Sequence, residues 1–208
     1  MTHINHGEKV FIMKRLLLIL ILTFSLQSWT KADDIEDFQI EGMSIGDSAL
    51  DYFTINELNN SIEIYDYLDE YRYYFLSYSK AKEYEYLQIT VKQNDKNFII
   101  HDIQGHIFYD KNIKDCFKKM KDIKKDIDEV LNYNGIEDSG LYPWDYSGKS
   151  TYKRIKYDIK GGVADIVCFD MGKEMEIKGK YDRFAITLSK TEFKQWLYSN
   201  AEKIKKGS

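Results

Sequence analysis

The chain has 208 residues, of which 31% are charged and 15% aromatic, and its formal net charge is −4. Four of the 30 basic residues and one of the 34 acidic residues precede residue 33, leaving 26 against 33 and a net charge of −7 for the rest. That balance excludes DNA, RNA and anionic lipid as the main partner, because those affinities rest on paired cations.

Met13 to Ala32 follows the plan of a secretory signal peptide. Lys14 and Arg15 form a basic start, Leu16 to Leu26 is an apolar run, and Thr30-Lys31-Ala32 puts small residues at positions −3 and −1 of a cut. Leu16 to Thr30 carries no charge, yet its 15 residues fall short of the roughly 18 to 20 that span a bilayer. The expectation is cleavage near Ala32, with residues 1–32 as extension and signal and residues 33–208 as a single periplasmic domain. A retained anchor is the alternative. Residues 1–12 match no part of a signal, so Met13 is the expected start.

Two cysteines follow, Cys116 and Cys168. In an oxidising compartment a lone pair reads as a disulfide; two small buried hydrophobes is the other reading.

In chain order, Asp33 to Glu41 is an acidic leader, expected to be loose or a short edge strand. Gly42 to Asp47 is a turn, with Ser44 or Asp47 placed to cap a helix that buries Leu50, Phe53 and Leu58. Tyr73 to Tyr78 has strand-favouring residues. Leu87, Ile89 and Val91 alternate with polar neighbours, Gln93 to Lys96 turns, and Ile99, Ile103 and Ile107 line the returning strand. This half reads as a three-stranded meander. Lys111 to Tyr133 is the clearest helix, with Ile113, Cys116, Phe117, Met120, Ile123, Ile127, Val130 and Leu131 on one stripe. Asn112 is placed to cap it and Asn134-Gly135 to stop it. Ile136 to Ser150 reads as a polar and aromatic loop. Thr151 to Ile159 and Val163 to Met171 flank Lys160-Gly161-Gly162, a hairpin signal. Lys173 to Lys180 reads as a loop or weak edge strand, and Phe184, Ile186 and Leu188 mark a further strand. Ser189 to Glu192 has the form of a capping box before a last helix carrying Phe193, Trp196, Leu197 and Ile204. Strands joined by hairpins, with helices between the sets, predict an α+β fold. Its mostly antiparallel sheet would hold about six strands in two three-stranded sets, with helices packed on one face.

The candidate sites are few. Gly46-Asp47-Ser48-Ala49 resembles the Gly-Asp-Ser-Leu motif of SGNH-type hydrolases, which implies Ser48 as nucleophile. That motif's leucine is replaced, and no histidine follows His106 to serve as base. His101 and His106 are five residues apart on one strand and face opposite sides, unless Gly105 marks a bulge that restores a common face. The long helix presents lysines interleaved with acids, a solvated mixed-charge face. Two aromatic regions are the better candidates for ligand or partner contact: Tyr73, Tyr74 and Tyr86 among the acids of Tyr65 to Tyr86, and the Tyr142, Trp144, Tyr146 loop. Rings of this kind hold sugars or cations by stacking and cation–π attraction. No phosphate loop or metal-ligand spacing occurs, so no cofactor or metal is expected.

With its signal, Gly42-Met43-Ser44-Ile45-Gly46-Asp47-Ser48 and the helix of Cys116, the chain resembles small exported proteins of AT-rich marine alphaproteobacteria. The resemblance implies a periplasmic address and no mechanism. The glycine turn is also loosely similar to the opening of small periplasmic lipoproteins that assist outer-membrane assembly. The expected function is a non-catalytic exported module that binds an envelope protein or a small ligand, the alternative being a serine hydrolase using Ser48.

Overall fold

The computed structural model describes residues 33–63, 70–76, 82–109 and 112–200. The signal-peptide segment, Tyr65, Tyr67, Tyr78 and Ile204 lie outside the described residues. The elements in order are β1 (Gln39–Ile40), β2 (Met43–Ser44), α1 (Ile55–Asn60), β3 (Ile62–Glu63), β4 (Tyr71–Leu76), β5 (Tyr86–Lys92) and β6 (Ile100–Phe108). Then come α2 (Ile113–Val130), β7 (Gly135–Pro143), β8 (Thr151–Ile159), β9 (Gly162–Asp170), α3 (Lys173–Ile177), β10 (Arg183–Lys190) and α4 (Thr191–Ser199).

The fold is α+β, as expected, and every strand-to-strand pair is antiparallel, with one isolated parallel bridge at Asp34↔Lys160. The two three-stranded sets are not what forms. A single eight-stranded sheet runs β3-β4-β5-β6-β10-β9-β8-β7, and β1 and β2 make a separate hairpin. The last strand enters the middle, pairing β6 from Arg183↔Phe108 to Ser189↔Asp102 and β9 from Arg183↔Phe169 to Lys190↔Gly162. Strand β10 thereby pairs the backbone groups of β6 and β9, which would otherwise be open edges.

The helices also occupy both faces rather than one. Helix α2 lays Cys116 and Met120 into a core with Ala164, Ile166 and Cys168 of β9 and Phe184 and Leu188 of β10. Helix α4 sets Phe193 against Tyr71 and Tyr73, with ring centroids 5.0 and 6.2 Å apart, and Lys194 Nζ 3.2 Å from Asp165. Asp165 and Cys168 are three residues apart on one strand, so they point to opposite sides. Below, the two sides are called the α2 face and the α4 face.

The acidic leader is ordered rather than loose, and its Gln39–Ile40 is a short edge strand of the β1-β2 hairpin, as one of the two expectations has it. Ile35, Ile40, Met43, Ile45, Ala49, Phe53 and Leu58 are all buried in the α2-face core, whereas Leu50 is exposed. The expected first helix divides into a 3-10 turn, Ala49–Asp51, and α1, whose capping box is Thr54 with Glu57. Gly162 makes the leader's approach possible. A Cβ there would stand 2.3 Å from the Ser189 carbonyl oxygen and 2.8 Å from Ile35 Cγ1, closer than a side chain allows.

Five local expectations fail for identifiable reasons. Helix α2 stops at Leu131, which is buried and extended, and Gly135 instead opens β7 opposite Asp158. Asn112 occupies the cap position, yet its side chain donates to Asp115 rather than accepting from the helix. Of the segment read as a loop, Ile136–Pro143 belongs to β7, an outer strand whose register shifts between Asp138 and Leu141, while residues 144–150 turn as expected. Ser139 fills that shift, its hydroxyl donating to the Arg154 carbonyl and accepting from the Arg154 amide. Being exposed nearly throughout, β7 has no apolar alternation to reveal it. Residues 173–177 form the short helix α3, and Ser189 spends its hydroxyl on Asp102 instead of a capping box.

Cys116 and Cys168 come to disulfide distance, with Cα atoms 5.9 Å apart and both side chains wholly buried. The pair fastens α2 to β9 across 52 residues of sequence, a closure worth about 4 kcal/mol by the chain-entropy argument. We expect Cys116→Ser to lower the melting temperature markedly and Cys168→Ser added to it to cost little more. Melting curves of the three proteins under non-reducing conditions check this, and additive losses would count against the bond.

Candidate binding surface

The α4 face carries most of the buried polar side chains. In register across the sheet lie Thr90, Asp102 and Ser189, and beside them Gln88, Gln104, Thr187 and Asp165. Asp102 is completely buried, accepts from the Ser189 hydroxyl at one oxygen and from Gln104 Nε2 at 3.0 Å at the other. Burial raises its pKa, and the Lys194 charge with those two hydrogen bonds opposes the rise. Asp165 takes Arg154 at 2.7 Å and Lys194 at 3.2 Å. A buried carboxylate with two cations is costly to break, about 3 to 5 kcal/mol for loss of a partner. Asp102, Asp165 and Ser189 are buried, and the Lys194–Asp165 pair ties α4 to the sheet.

Further along the same face the character changes to a row of rings. Phe108 of β6 pairs Arg183 of β10, Arg183 pairs Phe169 of β9, Phe169 pairs Tyr152 of β8, and Tyr152 pairs Tyr142 of β7. Each member is half-buried or exposed. The Arg183 guanidinium lies 4.2 Å from the Phe169 ring centroid, and Trp144 meets Phe169 edge-on at 5.0 Å. At the other end Tyr86 of β5 meets Phe108 edge-on at 6.0 Å. Six adjacent strands thus contribute, about 24 Å from first to last at a strand spacing of about 4.8 Å. Burial alone pulls the Arg183 pKa down. No carboxylate among the described residues stands within ion-pairing distance of it.

The aromatic candidates separate cleanly. Tyr142 and Trp144 belong to this row and are 51% and 41% exposed, Tyr86 joins its far end at 45%, and Tyr146 projects fully from the turn beyond. Tyr73 and Tyr74 are corrected to core positions: Tyr74 is buried on the α2 face and Tyr73 against Phe193. The sequence reading passed over Phe108, Tyr152, Phe169 and Arg183. The signal was their phase, since each lies one step out of register with an inward apolar neighbour such as Cys168 or Phe184.

Ser48 caps the 3-10 turn, its hydroxyl accepting from the Leu50 amide at 3.2 Å and donating to the Asn97 carbonyl at 2.6 Å. Neither partner is a base. His101 meets Tyr71 edge-on at 5.5 Å, on the α4 side. The bulge that puts it on His106's face lies opposite Thr90/Val91 rather than at Gly105. Five residues of strand still separate the two histidines by about 16 Å, too far to share a metal. No cluster of metal-ligating side chains occurs among the described residues, and no described helix is long and apolar enough to cross a membrane. No protein family, curated protein or solved structure matches this chain.

His106 sits beside the ring row, 8% exposed, with neither ring nitrogen hydrogen-bonded among the described residues. Burial and the nearby Arg183 charge push its pKa from 6.5 to about 4. The unfolded chain protonates this histidine near 6.5 and the folded one near 4, so its contribution to stability is lost as pH falls through that window. Asp102 shifts the other way and is common to any variant compared. We expect His106→Gln to lose less melting temperature than the parent protein between pH 6.5 and pH 4; parallel curves would refute the assignment.

Proposed function

We propose that this protein is an exported, non-catalytic binding module of the cell envelope, released into the periplasm by cleavage near Ala32, with the ring row of the α4 face as its binding surface. The observation that carries the reading is the row itself. Contiguous aromatic surface left in solvent marks a contact site, and Tyr, Trp and Arg are the side chains that dominate contact energies. Phe108, Tyr152 and Phe169 pack against neighbours and hold Arg183, Tyr142 and Trp144 in place, which lowers the cost of ordering them on binding.

Three further observations support it. The wholly buried cysteine pair suits an oxidising compartment. The hydroxyls of Ser48 and Ser189 are committed to a turn cap and to Asp102, so neither is poised as a nucleophile. The acidic balance of residues 33–208 favours a discrete ligand or protein partner over nucleic acid.

Mass spectrometry of protein recovered from the periplasmic fraction is expected to find a mature N-terminus close to Asp33. Envelope extract should raise the melting temperature of the purified protein, and Trp144→Ala should abolish most of that rise. Intact chain confined to the cytosol would remove the address, and an unshifted melting curve would remove the binding role.

A further inference from the structure

The least explained group on the α4 face is the Arg183 guanidinium. It is half-buried, it rests on Phe169, and no carboxylate among the described residues balances it. Withdrawing a cation from water without a partner is costly. Stacking also occupies only the flat faces of guanidinium, leaving its in-plane N–H groups to grip an oxyanion in two places. His106, nine-tenths buried with both ring nitrogens unpartnered among the described residues, lies near enough to feel that charge. A cationic fork and a neutral donor–acceptor pair therefore sit together, framed by rings.

The position of the row selects among anionic ligands. It crosses the face of the sheet, where the main-chain donors and acceptors of β6, β10, β9 and β8 are already used in the ladders. An extended peptide laid there would find no backbone partners, the interaction that secures such segments at a sheet edge. A pyranose ring brings apolar C–H faces for the aromatic rings and keeps its hydroxyls in water. Several rings in line suit several sugar units in line. A dense polyanion is disfavoured by the net charge of −7, whereas one carboxylate meeting one guanidinium is not.

Resting on the reading of this row as a binding surface, we propose that it is a site for an acidic oligosaccharide, with Arg183 taking the carboxylate of a uronic-acid unit while Trp144, Tyr142 and Tyr152 stack on neighbouring sugars. Calorimetric titration of the purified protein with tetragalacturonate, cellotetraose and tetraglutamate tests it. Tetragalacturonate should bind at least about tenfold more tightly than cellotetraose, the factor expected for one charge-assisted contact, and tetraglutamate should bind weakly or not at all. Arg183→Met should erase the preference for the acidic sugar, Arg183→Lys should retain part of it, and Trp144→Ala should weaken both sugars. Failure of tetragalacturonate to bind, equal binding of the two sugars, or affinity unchanged in Arg183→Met each overturns the proposal. Tighter binding of tetraglutamate would replace the sugar with an acidic peptide. A melting shift with envelope extract that persists when tetragalacturonate gives no heat would sink the sugar proposal and leave the binding-module reading standing.

Discussion

The double pairing of β10 is the constraint on which the rest of the molecule depends. Strands β3 to β6 form one antiparallel run and β7 to β9 another, and only β10 joins them. Its alternation serves two purposes at once. Phe184 and Leu188 enter the core beneath α2, while Arg183 and Ser189 face the opposite side and meet Phe169 and Asp102. One strand therefore closes the sheet, fills its centre and sets the principal polar groups of the other face.

The two faces solve the burial problem differently. The α2 face is apolar and is fastened by the Cys116–Cys168 pair, and buried side chains between Ile35 and Leu58 complete it. Under α4 the sheet is polar, so the helix is held by satisfied charges, Asp165 with Arg154 and Lys194, as well as by Phe193. Buried polar networks add little net stability but specify one arrangement when each member is paired. Pairing on this face is incomplete: Thr90 Oγ1 and the Tyr71 hydroxyl are buried without a hydrogen-bond partner among the described residues, and so are both ring nitrogens of His106, beside the exposed rings.

Much of this was legible in the residues. The stripe from Ile113 to Leu131, the hairpin at Gly161 and the alternation of Phe184, Ile186 and Leu188 each depend on local periodicity, which sequence displays directly. Strand order is not local: nothing in residues 183–190 says that β6 lies on one side and β9 on the other. The capping box at Ser189 was misread because a tertiary acceptor, the buried Asp102, outbid the helix for its hydroxyl. Strand β7 was missed because an exposed outer strand has no apolar face to betray it. Of the binding surface, Tyr142 and Trp144 stood out as loop aromatics, whereas Arg183 and Phe169 gained meaning only once register set them side by side.

The central seat of β10 also orders the birth of the molecule. A ribosome releases β6 some 75 residues before Arg183, its partner for Phe108, and until then the chain holds two partial sheets whose inner edges await the same missing strand. Open edges of that sort recruit other chains, and long-range closure of this kind is slow. A product truncated before residue 183 would lack not a peripheral piece but the keystone, and its two halves would be left sticky and unjoined.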